Sequence, residues 1–192
     1  IHQFWCVMMA SSLPVATIIG SRIIVLSKTQ GAKLYKEGFF GKPVNIHKPK
    51  DTEVDAPLEL SLFEANYLLE QRRISVESGG RAISLEELAK FSRENFRLFD
   101  ELYAVYKDLR EKGYVVRPGM KFGSDFAVYE YGPGIDHAPF VIHVLPSSAE
   151  VDPIEIVRAG RLSHTVRKKF ILATLDRSRN KVLYFMFMWW KA

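Results

Sequence analysis

Hydrophobic and polar residues alternate along much of the second half of the chain, with the period of a half-buried β-strand. The alternation predicts three consecutive strands, joined by turns that contain glycine or proline, at Tyr114–Arg117, Phe126–Tyr129 and Phe140–Leu145. Two further strands are predicted near the end of the chain, at Phe170–Leu175 and Val182–Trp190. We expect the first three strands to form an antiparallel meander.

A helix is predicted between the third and fourth of these strands. Asp152 suits its N-cap position and Pro153 its first helical position. The apolar residues that recur at helical spacing are expected to line its buried side: Ile154, Val157, Leu162 and Val166. The polar side carries Arg158, Arg161, His164 and Lys168. Lys168 is expected to close this helix.

The first half of the chain contains shorter elements. Two strands around Gly20 and a helix that ends at Gly38 are predicted at Val15–Ile19, Arg22–Ser27 and Lys28–Glu37. Residues 39–57 contain two Lys-Pro pairs and predict no regular element. A short strand at Leu58–Leu60 leads into a helix that Ser61 and Glu64 open as a capping box.

A long helical pattern follows and ends before Gly113. Ser84 and Glu87 form a second capping box. Ser92 and Asn95 suit a capped restart, so two helices are predicted, the second at residues 93–112. We interpret the aromatic residues of this pattern as core residues.

Together the elements predict an α+β protein with two domains. A small N-terminal α/β domain is expected at residues 11–95. A C-terminal domain with a mostly antiparallel sheet and flanking helices is expected at residues 96–192.

Composition narrows the class of protein. The 192 residues are 47% hydrophobic, which is enough for packed cores. A single cysteine, Cys6, excludes an internal disulfide and a zinc cluster and favours a reducing cytoplasm. Polar residues and Pro14 interrupt the apolar run at residues 1–20, so we expect no membrane span.

The net charge of +5 favours a polyanionic partner, although such an excess also serves solubility. The segment from Arg158 to Lys181 contains eight lysine or arginine residues and one acidic residue, Asp176. A phosphate-binding face and an ordinary solvated face both remain open for this segment.

The stretch from Lys121 to Lys169 carries the candidate chemistry. Tyr129 ends a strand, His137 follows a Gly-Pro-Gly turn, and Lys168 adds a cation, so the three side chains suit an acid, base and cation site. From the residues alone, a polar hairpin framed by Tyr129 and His137 remains an open interpretation.

Two long segments in this region, EKGYVVRPGMKFGSDFAVYEYGPGIDHAPFVIHVLP and RLSHTVRKKFILATLD, resemble the catalytic domain of the archaeal tRNA-splicing endonucleases. LSLFEANYLLEQ, with SLEEL after it, resembles the small N-terminal domain of the same family. The resemblance covers nearly the whole chain and indicates a catalytic subunit of the crenarchaeal type.

The resemblance implies an endoribonuclease that excises introns from precursor tRNA at bulge-helix-bulge motifs. Cleavage would leave a 2′,3′-cyclic phosphate and a 5′-hydroxyl, with no metal and no other cofactor. The catalytic positions of the family correspond to Tyr129, His137 and Lys168, with Tyr131 and Lys169 as the nearest rivals. Tyrosine has an ordinary pKa of about 10 and needs a nearby positive charge to act as a base, which we expect Lys168 to supply.

Further parallels concern RNA contacts. Arg161 matches an arginine that clamps a bulged base, and its partner in the clamp would be Trp189 or Trp190. Both tryptophans also suit core or interface positions. The crenarchaeal resemblance assigns RNA contacts to a lysine-bearing insertion, here Lys42, Lys48 and Lys50, for which an ordinary solvated loop is the alternative.

Subunit contacts are also implied. The acidic loop Ser147–Asp152 matches a loop that docks on a neighbouring subunit, with Glu150 and Asp152 as the contact residues. Precursor tRNA is the expected partner, and the assembly would be a homotetramer or a heterotetramer with a structural paralogue. A noncatalytic subunit and a basic RNA-binding module are the alternative functions.

Overall fold

The computed structural model describes residues 13–46, 54–154, 156–157, 160–161 and 168–187. The described part of the chain contains two β-sheets and has the predicted α+β architecture. Its helices are α1 Lys28–Gly38, α2 Leu62–Glu70, α3 Leu85–Asn95 and α4 Phe99–Glu111. Its strands are β1 Val15–Ile19, β2 Arg22–Val25, β3 Lys42–Pro43, β4 Leu58–Leu60, β5 Ser75–Ser78, β6 Arg81–Ala82, β7 Val115–Pro118, β8 Phe126–Tyr129, β9 Phe140–Leu145, β10 Lys169–Asp176 and β11 Lys181–Phe187.

The N-terminal sheet has the strand order β3-β4-β2-β1-β5-β6. β1 and β2 pair in antiparallel orientation around Gly20, which confirms the predicted hairpin. The prediction of no regular element at residues 39–57 is wrong at one point, because Lys42 and Pro43 form β3 against Glu59 and Leu58. This pairing depends on a partner distant in the sequence, which a local pattern does not reveal.

Helix α1 ends differently from the prediction. Gly38 is its last residue, and Phe39 adopts the left-handed conformation at φ +54°. Glycine is needed at 38 for another reason, since a Cβ there would lie 2.6 Å from the Phe40 ring. The glycine therefore permits a close contact, and the chain turns one residue later.

Both predicted capping boxes are confirmed. The Ser61 hydroxyl accepts the Glu64 N–H, and the Glu64 carboxylate accepts the Ser61 N–H. Ser84 and Glu87 make the same pair of hydrogen bonds at the start of α3. These side chains satisfy backbone donors that the first turn of each helix leaves unpaired.

The predicted helix restart at Ser92 and Asn95 is wrong. Both residues belong to α3, where Ser92 donates to Leu88 O and Asn95 donates to Phe91 O. The chain turns instead at Leu98, which has φ +58° and no side-chain cap. The two side chains suited to capping are already bonded within α3. The domain boundary at residues 95 and 96 stays a prediction.

Phe99 and Tyr106 of α4 are packed in a core, as predicted, whereas Phe96, between α3 and α4, is 44% exposed. The Phe63 ring of α2 lies 5.6 Å from the ring of Phe99 and 6.1 Å from that of Tyr106, centre to centre. The rings of Phe63 and Phe126, on β8, form a T-shaped pair with their centres 5.6 Å apart. These contacts join the N-terminal helices to the C-terminal sheet.

The C-terminal sheet has the strand order β11-β10-β9-β8-β7. The predicted meander is confirmed, because β7, β8 and β9 pair successively in antiparallel orientation. β10 joins β9 in parallel, and β11 pairs with β10 in antiparallel orientation. A parallel pair requires a long crossover, which residues 146–168 provide.

The crossover contains helical residues at 153–154, 156–157 and 160–161. The Asp152 carboxylate accepts the Ile154 N–H at 2.8 Å, in agreement with its predicted role as N-cap. The expected burial of Ile154 and Val157 is wrong, since their exposed fractions are 65% and 57%. Helical spacing identifies an apolar side but not the surface that covers it. The other predicted core residues of this helix, Leu162 and Val166, lie outside the described residues.

Arg117 ties the two halves of the molecule together. Its Nη1 donates to the carbonyl oxygens of Phe39 at 2.6 Å and Gly41 at 2.8 Å, and lies 3.3 Å from the Glu64 carboxylate. Glu64 also accepts the Gly41 N–H at 2.8 Å. The Glu64 side chain is 6% exposed, so Arg117 is the partner of a buried charge.

No helix in the described ranges is long and apolar enough to cross a membrane.

Replacement Arg117→Ala should lower the free energy of unfolding by roughly 3–5 kcal/mol, because it leaves the Glu64 carboxylate buried without its cation. Chemical denaturation followed by circular dichroism measures this loss. Arg22→Ala is the matched control, since it breaks the exposed pair with Glu59 and should change stability little. Equal losses in the two variants would contradict the importance of burial.

Candidate active site

Tyr129 and Lys168 lie in one row at the edge of the C-terminal sheet where β8 ends and β9 and β10 begin. Val128 pairs with Phe140, and Phe140 pairs with Lys169. One residue further, the same register aligns Tyr129 with Lys168 across the intervening strand. Adjacent strands are about 4.8 Å apart, so the two Cα atoms are about 10 Å apart.

The side chains of both residues lie on the face of the sheet that is turned away from α4. Val128 belongs to the core beneath α4, and side chains alternate between the faces along a strand, so Tyr129 points to the other face. Lys168 lies on that face as well, with Nζ 4.9 Å from the centre of the Phe122 ring. Lys168 precedes β10 directly, and residues 162–167, between it and the helix that it was expected to close, lie outside the described part.

The loop between Tyr129 and Pro139 is closed by the Asp136 carboxylate, which sequence reasoning missed. The carboxylate accepts the backbone N–H groups of Glu130 at 3.0 Å, Tyr131 at 3.3 Å and Gly132 at 2.7 Å. Aspartate commonly binds nearby backbone N–H groups in turns, so its place in the Gly-Pro-Gly-Ile-Asp segment was the available signal.

His137 sits between two anchored residues of this loop. Asp136 before it holds the start of the loop, and Ala138 after it accepts a hydrogen bond from Lys168 Nζ at 2.5 Å. The His137 side chain is exposed. The backbone thus brings His137 to the edge that carries Tyr129 and Lys168.

Burial raises the pKa of the Tyr129 hydroxyl, and the nearby Asp136 carboxylate raises it further. Arg117 opposes this effect, because a positive charge favours the phenolate. Arg117 is thus a cation that lowers the Tyr129 pKa. The assistance expected from Lys168 stays a prediction.

Burial lowers the pKa of the Lys168 ammonium, and Asp136 opposes this effect. Burial also acts to raise the pKa of Asp136, but the backbone hydrogen bonds outweigh it and the net pKa is below the ordinary value. Asp136 therefore stays ionised at neutral pH, between a tyrosine and a lysine that both sense its charge.

The N-terminal half reaches this loop through Phe39. Gly132 has φ +134°, and a Cβ on it would lie 2.3 Å from the Phe39 ring. Only glycine fits both the backbone conformation and this contact. The Phe39 carbonyl also accepts a hydrogen bond from Arg117. Phe39 therefore contacts both the loop and the guanidinium that acts on the Tyr129 pKa.

The rival residues have different surroundings. The Tyr131 side chain is 68% exposed, whereas Tyr129 is half-buried. Lys169 lies on the α4 side of the sheet, with Nζ 5.7 Å from the centre of the Phe140 ring. The geometry groups Tyr129 with Lys168.

Some of the remaining candidates are exposed residues of the described part, and the others lie outside it. Arg161 is an exposed helical residue, Lys42 is exposed on β3, and Glu150 and Asp152 are exposed in the crossover. The other RNA-contact candidates lie outside the described residues: Lys48, Lys50, Trp189 and Trp190.

Within the described ranges, no group of three or more His, Cys, Asp or Glu side chains is arranged to hold a metal ion. Acidic and histidine side chains do meet at Asp125 and His143, 2.7 Å apart. That pair alone supplies too few ligands for a protein metal site.

Both halves of the chain match models of one family. The model described as tRNA intron endonuclease, N-terminal domain, matches residues 15–89. The model described as tRNA intron endonuclease, catalytic C-terminal domain, matches residues 99–184.

Similar proteins from crenarchaea are named tRNA-splicing endonuclease. The protein of Hyperthermus butylicus is 47% identical over 177 residues, which cover 92% of this chain and 98% of that protein. Those of Saccharolobus islandicus and Saccharolobus solfataricus are 43% and 42% identical over 178 residues, with the same coverage. With matches in both halves and along nearly the full length of these relatives, the chain belongs to the tRNA intron endonuclease family.

Proposed function

We propose that this chain is the catalytic subunit of a crenarchaeal-type endonuclease that excises introns from precursor tRNA at bulge-helix-bulge motifs. The observation that supports this most is the arrangement of Tyr129, Lys168 and the His137 loop at one sheet edge. The names of the similar proteins support the substrate class. A noncatalytic subunit would not need all three positions filled.

The proposed reaction is an internal transfer of the phosphate ester. Tyr129 removes the proton of a ribose 2′-hydroxyl, and the 2′-oxygen forms a bond to the adjacent phosphorus. The bond from phosphorus to the 5′-oxygen breaks, and His137 gives that oxygen a proton. The products are a 2′,3′-cyclic phosphate and a 5′-hydroxyl, with no net oxidation or reduction.

Lys168 would stabilise the charge on the phosphorane. Its ammonium is held by the Ala138 carbonyl and by the Phe122 ring, so its position is set before RNA binds. A preorganised cation stabilises a developing anion without rearrangement during the reaction. Because burial raises the Tyr129 pKa, the base acts from a small phenolate fraction at neutral pH, and this fraction grows as pH rises.

RNA binding would extend beyond the catalytic edge. Arg161 with Trp189 or Trp190 would clamp a bulged base, and a lysine segment, Lys42, Lys48 and Lys50, would follow the phosphate backbone. Glu150 and Asp152 would contact a neighbouring subunit of a homotetramer or of a heterotetramer with a structural paralogue. Asp152 already binds the Ile154 N–H, which leaves Glu150 as the more available carboxylate.

The proposed reaction should be visible when purified protein is incubated with a bulge-helix-bulge RNA in excess EDTA. Denaturing gels should show cleavage at both junctions and a 2′,3′-cyclic phosphate end, because no step uses a metal ion. Binding without cleavage would favour a noncatalytic subunit or an RNA-binding module. Loss of cleavage in EDTA, restored by magnesium while the RNA remains folded, would contradict the mechanism.

His137→Ala should reduce single-turnover cleavage by roughly 10²- to 10⁴-fold, because it removes the general acid. Filter binding should show nearly unchanged RNA affinity, since the proton donor acts in the transition state. Tyr129→Phe should have a similar effect, whereas the matched variant Tyr131→Phe should cleave normally. A normal rate for Tyr129→Phe would move the base to another group.

Simultaneous replacement of Lys42, Lys48 and Lys50 by alanine should weaken the salt dependence of RNA binding. Each lost phosphate contact reduces the slope of log K against log salt by about 0.7–0.9. Cleavage of relaxed bulge substrates should suffer most, with little change in melting temperature. Alanine at Lys33, Lys36 and Lys90, three exposed lysines, is the charge-matched control. Equal behaviour of both triple variants would show that the segment is an ordinary solvated loop.

A further inference from the structure

The Asp136 carboxylate connects the two ends of the loop that carries His137. Its two oxygens accept three successive backbone N–H groups, those of Glu130, Tyr131 and Gly132, at 2.7–3.3 Å. These residues directly follow Tyr129, and Asp136 directly precedes His137. The carboxylate therefore connects the backbone that follows Tyr129, the proposed base, to the residue that precedes His137, the proposed acid.

The backbone of the loop supports the same closure. The Gly132 carbonyl accepts the N–H groups of Ile135 and Asp136, each at 3.1 Å. Gly132 is buried and packs against the Phe39 ring. The point to which Asp136 attaches is thus fixed on the N-terminal half, so the loop has a defined place relative to the sheet edge.

The direction of the Asp136 carboxylate also matters. An anion that faced the substrate would repel the RNA phosphates. Here the carboxylate faces backbone donors of its own loop, and three charge-assisted hydrogen bonds occupy most of its acceptor sites. The negative charge is consequently held beside the site by the backbone and does not need RNA contacts to be satisfied.

On the basis of the proposed function, we infer that Asp136 is a positioning residue of the cleavage reaction, which holds the His137 loop against the Tyr129 and Lys168 edge through the Glu130–Gly132 backbone. Its charge adds a second effect. Asp136 raises the pKa of Lys168, which favours the ammonium, and raises the pKa of Tyr129, which disfavours the phenolate. The loop geometry and the protonation of the site are therefore linked through one side chain.

The test compares three variants with the parent protein. Asp136→Asn removes the charge at almost unchanged size, and Asp136→Glu keeps the charge but changes the reach of the carboxylate. Asp176→Asn is the matched control, because Asp176 also accepts backbone N–H groups, those of Ser178 and Arg179, at the far end of β10. Single-turnover cleavage from pH 5 to pH 9, RNA affinity and melting temperature are measured for each protein.

Asp136→Asn should reduce the cleavage rate by about 10²-fold with RNA affinity within about twofold, because a misplaced catalytic group costs rate rather than binding. Its pH–rate profile should also move to lower pH, since the Tyr129 pKa falls when the neighbouring negative charge is lost. Asp136→Glu should be slow with an unshifted profile. Asp176→Asn should match the parent in rate and profile.

Amide hydrogen exchange tests whether Asp136 closes the loop, and it needs no cleavage assay. The amides of Glu130, Tyr131 and Gly132 should be protected in the parent and in Asp176→Asn, and should exchange rapidly in Asp136→Asn. Rapid exchange in the parent would overturn the inference even if the protein did not cleave RNA.

The remaining outcomes separate the inference from the proposed function. A parental rate and profile in Asp136→Asn would overturn the inference while leaving the endonuclease assignment intact. A reduced rate with an unshifted profile and a matching loss in melting temperature would reduce Asp136 to a purely structural residue and also overturn it. A parent protein that binds but never cleaves the RNA would refute the proposed function instead.

Discussion

The parallel pairing of β9 with β10 decides where the proposed catalytic residues meet. A parallel pair aligns the beginnings of two strands, whereas an antiparallel pair aligns the end of one with the beginning of the other. β8 is antiparallel to β9, and β10 is parallel to β9. The end of β8 and the beginnings of β9 and β10 therefore share one edge, which carries Tyr129, the His137 loop and Lys168.

The N-terminal half contributes to this edge as well as to the core. Arg117 binds the Phe39 and Gly41 carbonyls and pairs with Glu64, and its charge opposes the rise of the Tyr129 pKa. The lysine segment proposed to follow RNA begins directly after Gly41. The partly buried guanidinium of Arg117 thus contacts both halves of the chain, lies next to the start of the lysine segment and acts on the pKa of the proposed base.

The charges around the site have opposing effects on the two groups that must act together. Burial favours neutral Tyr129 and neutral Lys168. An RNA phosphate would add negative charge, which favours the Lys168 ammonium but further disfavours the Tyr129 phenolate. Arg117 lowers the Tyr129 pKa without any contribution from RNA, and Asp136 in the same way raises the Lys168 pKa.

Local sequence patterns determined most of the elements and the candidate residues. The capping boxes at Ser61 and Ser84 and the antiparallel meander depend on neighbours in sequence, and the structure has them where they were predicted. Tyr129, His137 and Lys168 were selected by residue type and by a family resemblance, and their catalytic roles stay a prediction.

Tertiary structure alone decided the contacts between distant segments. β3 exists because of β4, the α3–α4 break falls at Leu98 because Ser92 and Asn95 are bonded within α3, and Ile154 and Val157 are exposed although their spacing is that of a buried face. Arg117, which the sequence analysis did not single out, lowers the pKa of Tyr129. The periodicity of a sequence shows which side of an element is apolar. The strand pairing, helix break, exposure and charge effects described above depend instead on the surface or charge that lies opposite each element. The packing of the whole chain decides which surface or charge that is.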